Sequence, residues 1–101
     1  MNFLIDLLAP PIPSGKRAEV EKLLAELYRI GQAEDFLSER PGAAYNRDCR
    51  HIRTRQIGTR LDELGGINLM GYIHRKVKRK LGKMLGEHLE AAWHDVGPWR
   101  Y

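Results

Sequence analysis

Two sets of residues in this chain have the types and spacing to hold an anion, and neither includes the groups that break a bond. The first is Arg53, Gln56 and Arg60, at i, i+3 and i+7, so that a helix sets all three on one face. Arginine's planar fork matches the oxygens of a carboxylate or phosphate, which makes this trio a candidate anion site. The second set is Arg75, Lys76, Arg79 and Lys83, with Tyr72 in their midst. At roughly 100° per residue these cations share the side of a helix opposite Ile73, Val77 and Leu81. Such a stripe can track a phosphate backbone while the ring stacks on a base.

Each set also has a plainer explanation. Arg53, Gln56 and Arg60 fall inside the arc spanned by Cys49, Ile52, Ile57, Leu61 and Leu64. An unpaired charge on a dry face is too costly to keep. Pairing with carboxylates of the acidic half, such as Glu34, Asp35 or Glu39, is therefore favoured over an open anion site. The second set is part of six Lys and Arg between His74 and Lys83. A charge run on the wet face of a helix is ordinarily solvated surface, and one tyrosine is a thin stacking platform.

Reactive chemistry is missing from the motifs. The four histidines, His51, His74, His88 and His94, form no H-E-x-x-H and no Cys/His cluster at zinc-ligand spacing; the pair Cys49 and His51 is a weak signal. No nucleophile elbow, P-loop or dinucleotide fingerprint occurs. Asp62 and Glu63 are adjacent, so on a helix they point apart. Neither an enzyme nor a metal or other cofactor is expected.

Positioning those side chains falls to helices. In the chain of 101 residues, 43% are hydrophobic and 30% charged, ordinary for one globular domain with one core. Val20, Leu23, Leu24, Leu27 and Ile30 repeat at helical spacing between a capping Ser14 and a terminating Gly31. The opposite face, with Lys16, Arg17, Glu19, Glu21, Lys22 and Glu26, reads as solvated. Gln32 to Glu39 reads as one further turn, broken at Arg40-Pro41-Gly42. Ile57, Leu61 and Leu64, then Met70, Ile73, Val77 and Leu81, mark two more amphipathic helices. They are hinged at Gly65-Gly66, with Gly65 in the left-handed position and Asn68 as the next cap.

Gly82 and Gly86 either break the helix or admit another backbone. Leu85, Leu89, Ala92, Trp93 and Val96 continue the stripe until Gly97-Pro98, which leaves Trp99 to fold back. Trp93 is expected in the core and Trp99 as a lid. Ahead of all this, three prolines among Pro10-Pro11-Ile12-Pro13 forbid a helix and favour an extended arm packed on the bundle. The expected architecture is an all-α bundle of three to four main helices in a single domain, 1–101. The arm is 1–13 and the helices cover 15–30, 47–64, 67–81 and 83–96.

Charge divides the chain unequally. Residues 1–46 carry five Lys and Arg against seven Asp and Glu, whereas residues 47–101 carry twelve against six. An anionic partner therefore meets the second half. One cysteine excludes an internal disulfide and fits a reducing cytoplasm. The opening M-N-F-L-I-D-L-L-A is too short to span a bilayer and is interrupted by Asp6, so no membrane partner is expected.

The series H-I-R-T-R-Q-I-G, L-D-E-L-G-G, L-M and L-E-A-A-W-H-D-V-G-P-W, over about residues 51 to 99, resembles a group of short uncharacterised bacterial proteins. These share an I-G…L…G-G…L-M…W…(I/V)-G-x-W pattern. The resemblance implies one continuous domain and carries no activity with it. The functional expectation is a non-enzymatic interaction module that binds protein, including a second copy of itself, through the Gly71, Gly82 and Gly86 side or an apolar groove. The alternative is a nucleic-acid-binding accessory that uses Tyr72, Arg75, Lys76, Arg79 and Lys83.

Overall fold

The computed structural model describes residues 11–33, 36 and 45–99, with side chains from residue 50 onward in the last span. Three helices and no strand occur among the described residues: α1 (Arg17–Ala33), α2 (Tyr45–Leu81) and α3 (Lys83–Ala92). The expected all-α bundle is what forms. Residues 1–10 of the expected arm lie outside the described residues, while at 11–13 the chain is non-helical and Ile12 packs against the core.

α1 buries Val20, Leu23, Leu27 and Ile30, as its periodicity requires. Its two expected ends are both corrected. Ser14 is not the cap, because Pro13 to Lys16 close a turn through Lys16 N donating to Pro13 O (3.1 Å), with Gly15 at φ 79°. A positive-φ glycine at the third position suits a type II turn, and the helix starts after it. Gly31 does not end the helix either; it is buried inside α1. A Cβ there would lie 2.6 Å from Leu81 Cδ1 and 2.8 Å from Phe36 Cζ, so the missing side chain makes room for those two.

α2 is two limbs, 45–65 and 67–81, joined at Gly66 (φ 68°, ψ −161°), a conformation open to glycine alone. The hinge lies in the expected Gly65-Gly66 pair, with Gly66 and not Gly65 the positive-φ residue. Gly65 stays helical and leaves space for Leu69, whose Cβ is 2.7 Å from where a Gly65 Cβ would sit. The second limb resumes at once, so Asn68 lies within its first turn and not at its cap. On the first limb the buried positions are Thr54, Ile57, Gly58 and Leu61, at i, i+3, i+4 and i+7, while Ile52 is 53% exposed and leaves the expected dry arc.

Gly82 (φ 102°) turns the chain out of α2 and is the residue before α3. Here both readings of the glycine pair hold: Gly82 breaks the helix, and Gly86 lets α3 close on the second limb. A Cβ on Gly86 would lie 2.9 Å from Lys78 Cβ and Cγ. α3 ends at Ala92, four residues short of expectation, with Trp93 in the C-cap position and Asp95 at φ 63° in the turn that follows.

The core is closed by that turn. Trp93 is fully buried, and its Nε1 donates to the carbonyl of Thr54 at 2.9 Å. The indole lies where Gly58 has no side chain: a Cβ there would be 2.6 Å from Nε1. Trp99 covers it edge-on at 5.2 Å, the lid that was expected. Arg55 Nη1 donates to the carbonyls of Ala92 and His94, both at 2.8 Å, and so caps the end of α3 from the first limb.

Gly58 and Gly71 should therefore respond oppositely to alanine. At Gly58 the overpacking cost of about 1–3 kcal/mol outweighs the gain in helix propensity, so Gly58→Ala should lower the urea midpoint. At Gly71 a Cβ meets only the far end of the long Arg75 side chain, at 3.2 Å. Gly71→Ala should raise stability by about 0.5–1 kcal/mol. Equal stability of parent and Gly58→Ala would show that the indole is not seated there.

Candidate functional site

The first candidate set is closed by carboxylates. Arg53 grips Glu26 with both prongs, Nε to Oε2 at 2.7 Å and Nη2 to Oε1 at 2.9 Å. Arg60 does the same to Glu19 at 2.7 and 3.2 Å and adds Glu63 at 3.2 Å. The seven-residue interval on the first limb matches the interval on α1 in the reverse direction, so the two forks also fix an antiparallel register. Internal pairing is thus the outcome, but the partners differ from those expected. Glu34, Asp35 and Glu39 lie outside the described residues, and the carboxylates come from the α1 face read as solvated.

Electrostatics follow the geometry. Hydrogen bonding from Arg53 holds the Glu26 carboxyl below its ordinary range against the opposing effect of burial, and Arg60 does likewise for Glu19. Both acids are ionised at neutral pH, and an outside anion would have to displace them. Gln56 is exposed between the two forks. Arg53, Gln56 and Arg60 accordingly make no open anion site.

The second candidate set is rearranged. Tyr72 is 8% exposed and belongs to the core, so it offers no free stacking face. The helical wheel assumed one dry side, whereas the second limb is clamped between α1 and α3 and buries Leu69, Met70, Tyr72, Ile73, His74 and Val77. Lys76 is half-buried with its Nζ 5.5 Å from the Tyr72 centroid. Arg75 is half-buried, Arg79 and Lys83 are exposed, and both arginines engage neighbours.

Two cations outside the expected stripe join it. Lys80 is exposed and sits 5.0 Å from the Tyr28 centroid on α1; Lys78 is exposed with its stem against Gly86 of α3. Among the described residues no ion pair involves Lys76, Lys78, Lys80 or Lys83. No acidic residue occurs between Glu63 and Glu87. The signal was legible as six cations in ten residues; a single-face wheel discarded two of them. Part of this charge has a structural use, since Lys78, Arg79 and Lys80 lie in the last turn of α2, where cations complement the helix dipole.

The Gly71, Gly82 and Gly86 side is altered too. Gly86 is buried against Lys78 of the same chain, so its notch is filled. His74, 8% exposed, places Nε2 3.0 Å from the Gly86 carbonyl and 3.2 Å from Glu90, with its ring 5.5 Å from Trp99. Burial pushes this imidazole below its ordinary value, the Gly86 carbonyl and Glu90 pulling the other way and Lys78 and Arg75 adding to the depression.

Among the described residues no three His, Cys, Asp or Glu are grouped as a metal site needs, and no helix is long and apolar enough to cross a membrane. Compared with protein families, curated proteins and solved structures, the chain matches none.

His74 should leave a mark on stability. Its folded form binds a proton more weakly than the unfolded form, so stability is full above about pH 6.5 and is lost as pH falls through the folded value. The lowered Glu19 and Glu26 act in a separate window, below their ordinary value of 4.5. Urea titrations between pH 7.5 and about 5 should show the decline in the parent and a flatter profile in His74→Gln. Identical profiles would contradict the assignment.

Proposed function

We propose that the chain is a non-enzymatic helical binding module that holds nucleic acid by its phosphates at the basic corner around Gly82. One observation carries this reading: the sorting of positive charge. Arg53 and Arg60 are satisfied by Glu26 and Glu19, and Arg55 by the end of α3. Lys76, Lys78, Lys80 and Lys83 have no acidic partner among the described residues and gather in one place. The start of α3 and the end of α2 meet at Gly82 with opposite partial charges, so the positive field there comes from the side chains. A polyanion is the ligand that such a field attracts.

Self-association or protein binding through the Gly71, Gly82 and Gly86 side is the weaker reading, because Gly86 is already in contact with Lys78. Membership of the bacterial group with the I-G…W pattern and a cytoplasmic location both accompany the proposal without supporting a particular activity.

The test separates the corner from net charge alone. Lys80→Glu/Lys83→Glu and a charge-matched control, Lys16→Glu/Lys22→Glu at exposed α1-side positions, are compared by anisotropy titration against labelled DNA at low salt. The corner variant should lose most of the binding and the control little. With about four phosphates neutralised, log affinity should fall against log salt with a slope of about −3 to −4. No binding at micromolar protein, or equal loss in both variants, would overturn the reading.

A further inference from the structure

We infer that the form bound at this corner is a duplex, held by its two phosphate rows and without contact to bases; this rests on the phosphate-binding reading above. Single strands are held largely by stacking on aromatic rings, and the described residues leave no ring for it. Phe36 and Trp93 are fully buried, and Tyr72 is in the core. Trp99 is half-buried with Trp93 at 5.2 Å and His74 at 5.5 Å. Tyr28 is half-buried under Lys80. The rings near the corner serve as supports for ammonium groups, Tyr72 for Lys76 and Tyr28 for Lys80.

Base reading is equally unsupported. From Leu69 to Glu90 the chain has no Asn, Gln, Ser or Thr, the side chains that hydrogen-bond base edges alongside arginine. Lys76, Lys78, Lys80 and Lys83 are point charges, which suit a phosphate and lack the rigid fork of arginine.

The arrangement also has two sides. Lys80 leans on Tyr28 of α1, and Lys76 on Tyr72 below it, four residues or about 6 Å along the limb. Lys78 packs its stem on Gly86 of α3, on the other flank of the same limb. Lysines on both flanks of this clamped limb, one over α1 and one over α3, match the two phosphate rows bordering a groove, whereas one strand supplies one row. A duplex also carries the denser charge, about one per 1.7 Å of axis.

The experiment uses the full chain with a mixed-sequence duplex of about 20 base pairs, each of its strands alone, a second duplex of unrelated sequence, and vesicles containing phosphatidylserine. The duplex should bind about tenfold tighter than either strand at equal salt, as expected where charge density alone decides. The two duplexes should agree within about twofold, since phosphate contacts carry no sequence information. Lys78→Gln and Lys80→Gln should each weaken duplex binding, with circular dichroism confirming that both fold. A single strand bound as tightly as the duplex, a tenfold difference between duplexes, or loss confined to one of the two lysines overturns this inference and leaves nucleic-acid binding standing. Binding to neither nucleic acid, or to vesicles alone, overturns both.

Discussion

The structure depends on the seating of Trp93 in the gap left by Gly58. An indole is the largest side chain in the core, and a helix that presents glycine at its closest approach is what lets the ring lie flat enough for Nε1 to reach the Thr54 carbonyl at 2.9 Å. That contact ties the end of α3 to the first limb of α2, 39 residues earlier in sequence. Arg55 then reaches the carbonyls of Ala92 and His94, and Asp62 lies against Gly97, where a Cβ would be 2.5 Å from its Oδ2. Trp99 closes over Trp93 and His74. Because α3 lies on the second limb through Gly86 and Lys78, its end can meet the first limb only if α2 bends, which it does at Gly66.

Charge is distributed by the same packing. α1 lies antiparallel to the first limb, and its Glu19 and Glu26 meet Arg60 and Arg53 in register. These pairs are partly exposed, so they contribute more to register than to stability. Two acids of the first half, Glu19 and Glu26, are thereby taken up by arginines of the first limb. The second limb has no acid of its own; Lys78 and Lys80 are exposed near Gly82, and Lys76 is half-buried over Tyr72. What begins as a charge imbalance between halves of the chain becomes a localised field at one corner.

Much of the fold was legible from periodicity. The apolar spacing of α1 and of both α2 limbs is visible in the residue order because each buries an apolar stripe along its length, although the second limb buries a further flank besides. The prolines and glycines near 13, 66, 82 and 97 mark the turns for equally local reasons, since backbone conformation there depends on the residue itself. The exclusion of an internal disulfide and the excess of cations after residue 46 are facts of composition. None of these needs knowledge of a neighbour.

What only the tertiary structure decided are the meetings between helices. Gly31, read as a helix end, turns out to be a close-contact site for Phe36 with Leu81, as Gly58 is for Trp93 and Gly86 for Lys78. Tyr72 lies on the polar side of a wheel and is buried all the same, because the second limb is clamped on two flanks and a wheel drawn for one dry face cannot represent that. Arg53 and Arg60 called for carboxylates on energetic grounds alone, yet which carboxylates follows from the antiparallel register of α1. A sequence states each side chain's need for a partner; the partner itself is set by distances that exist only once the helices have packed.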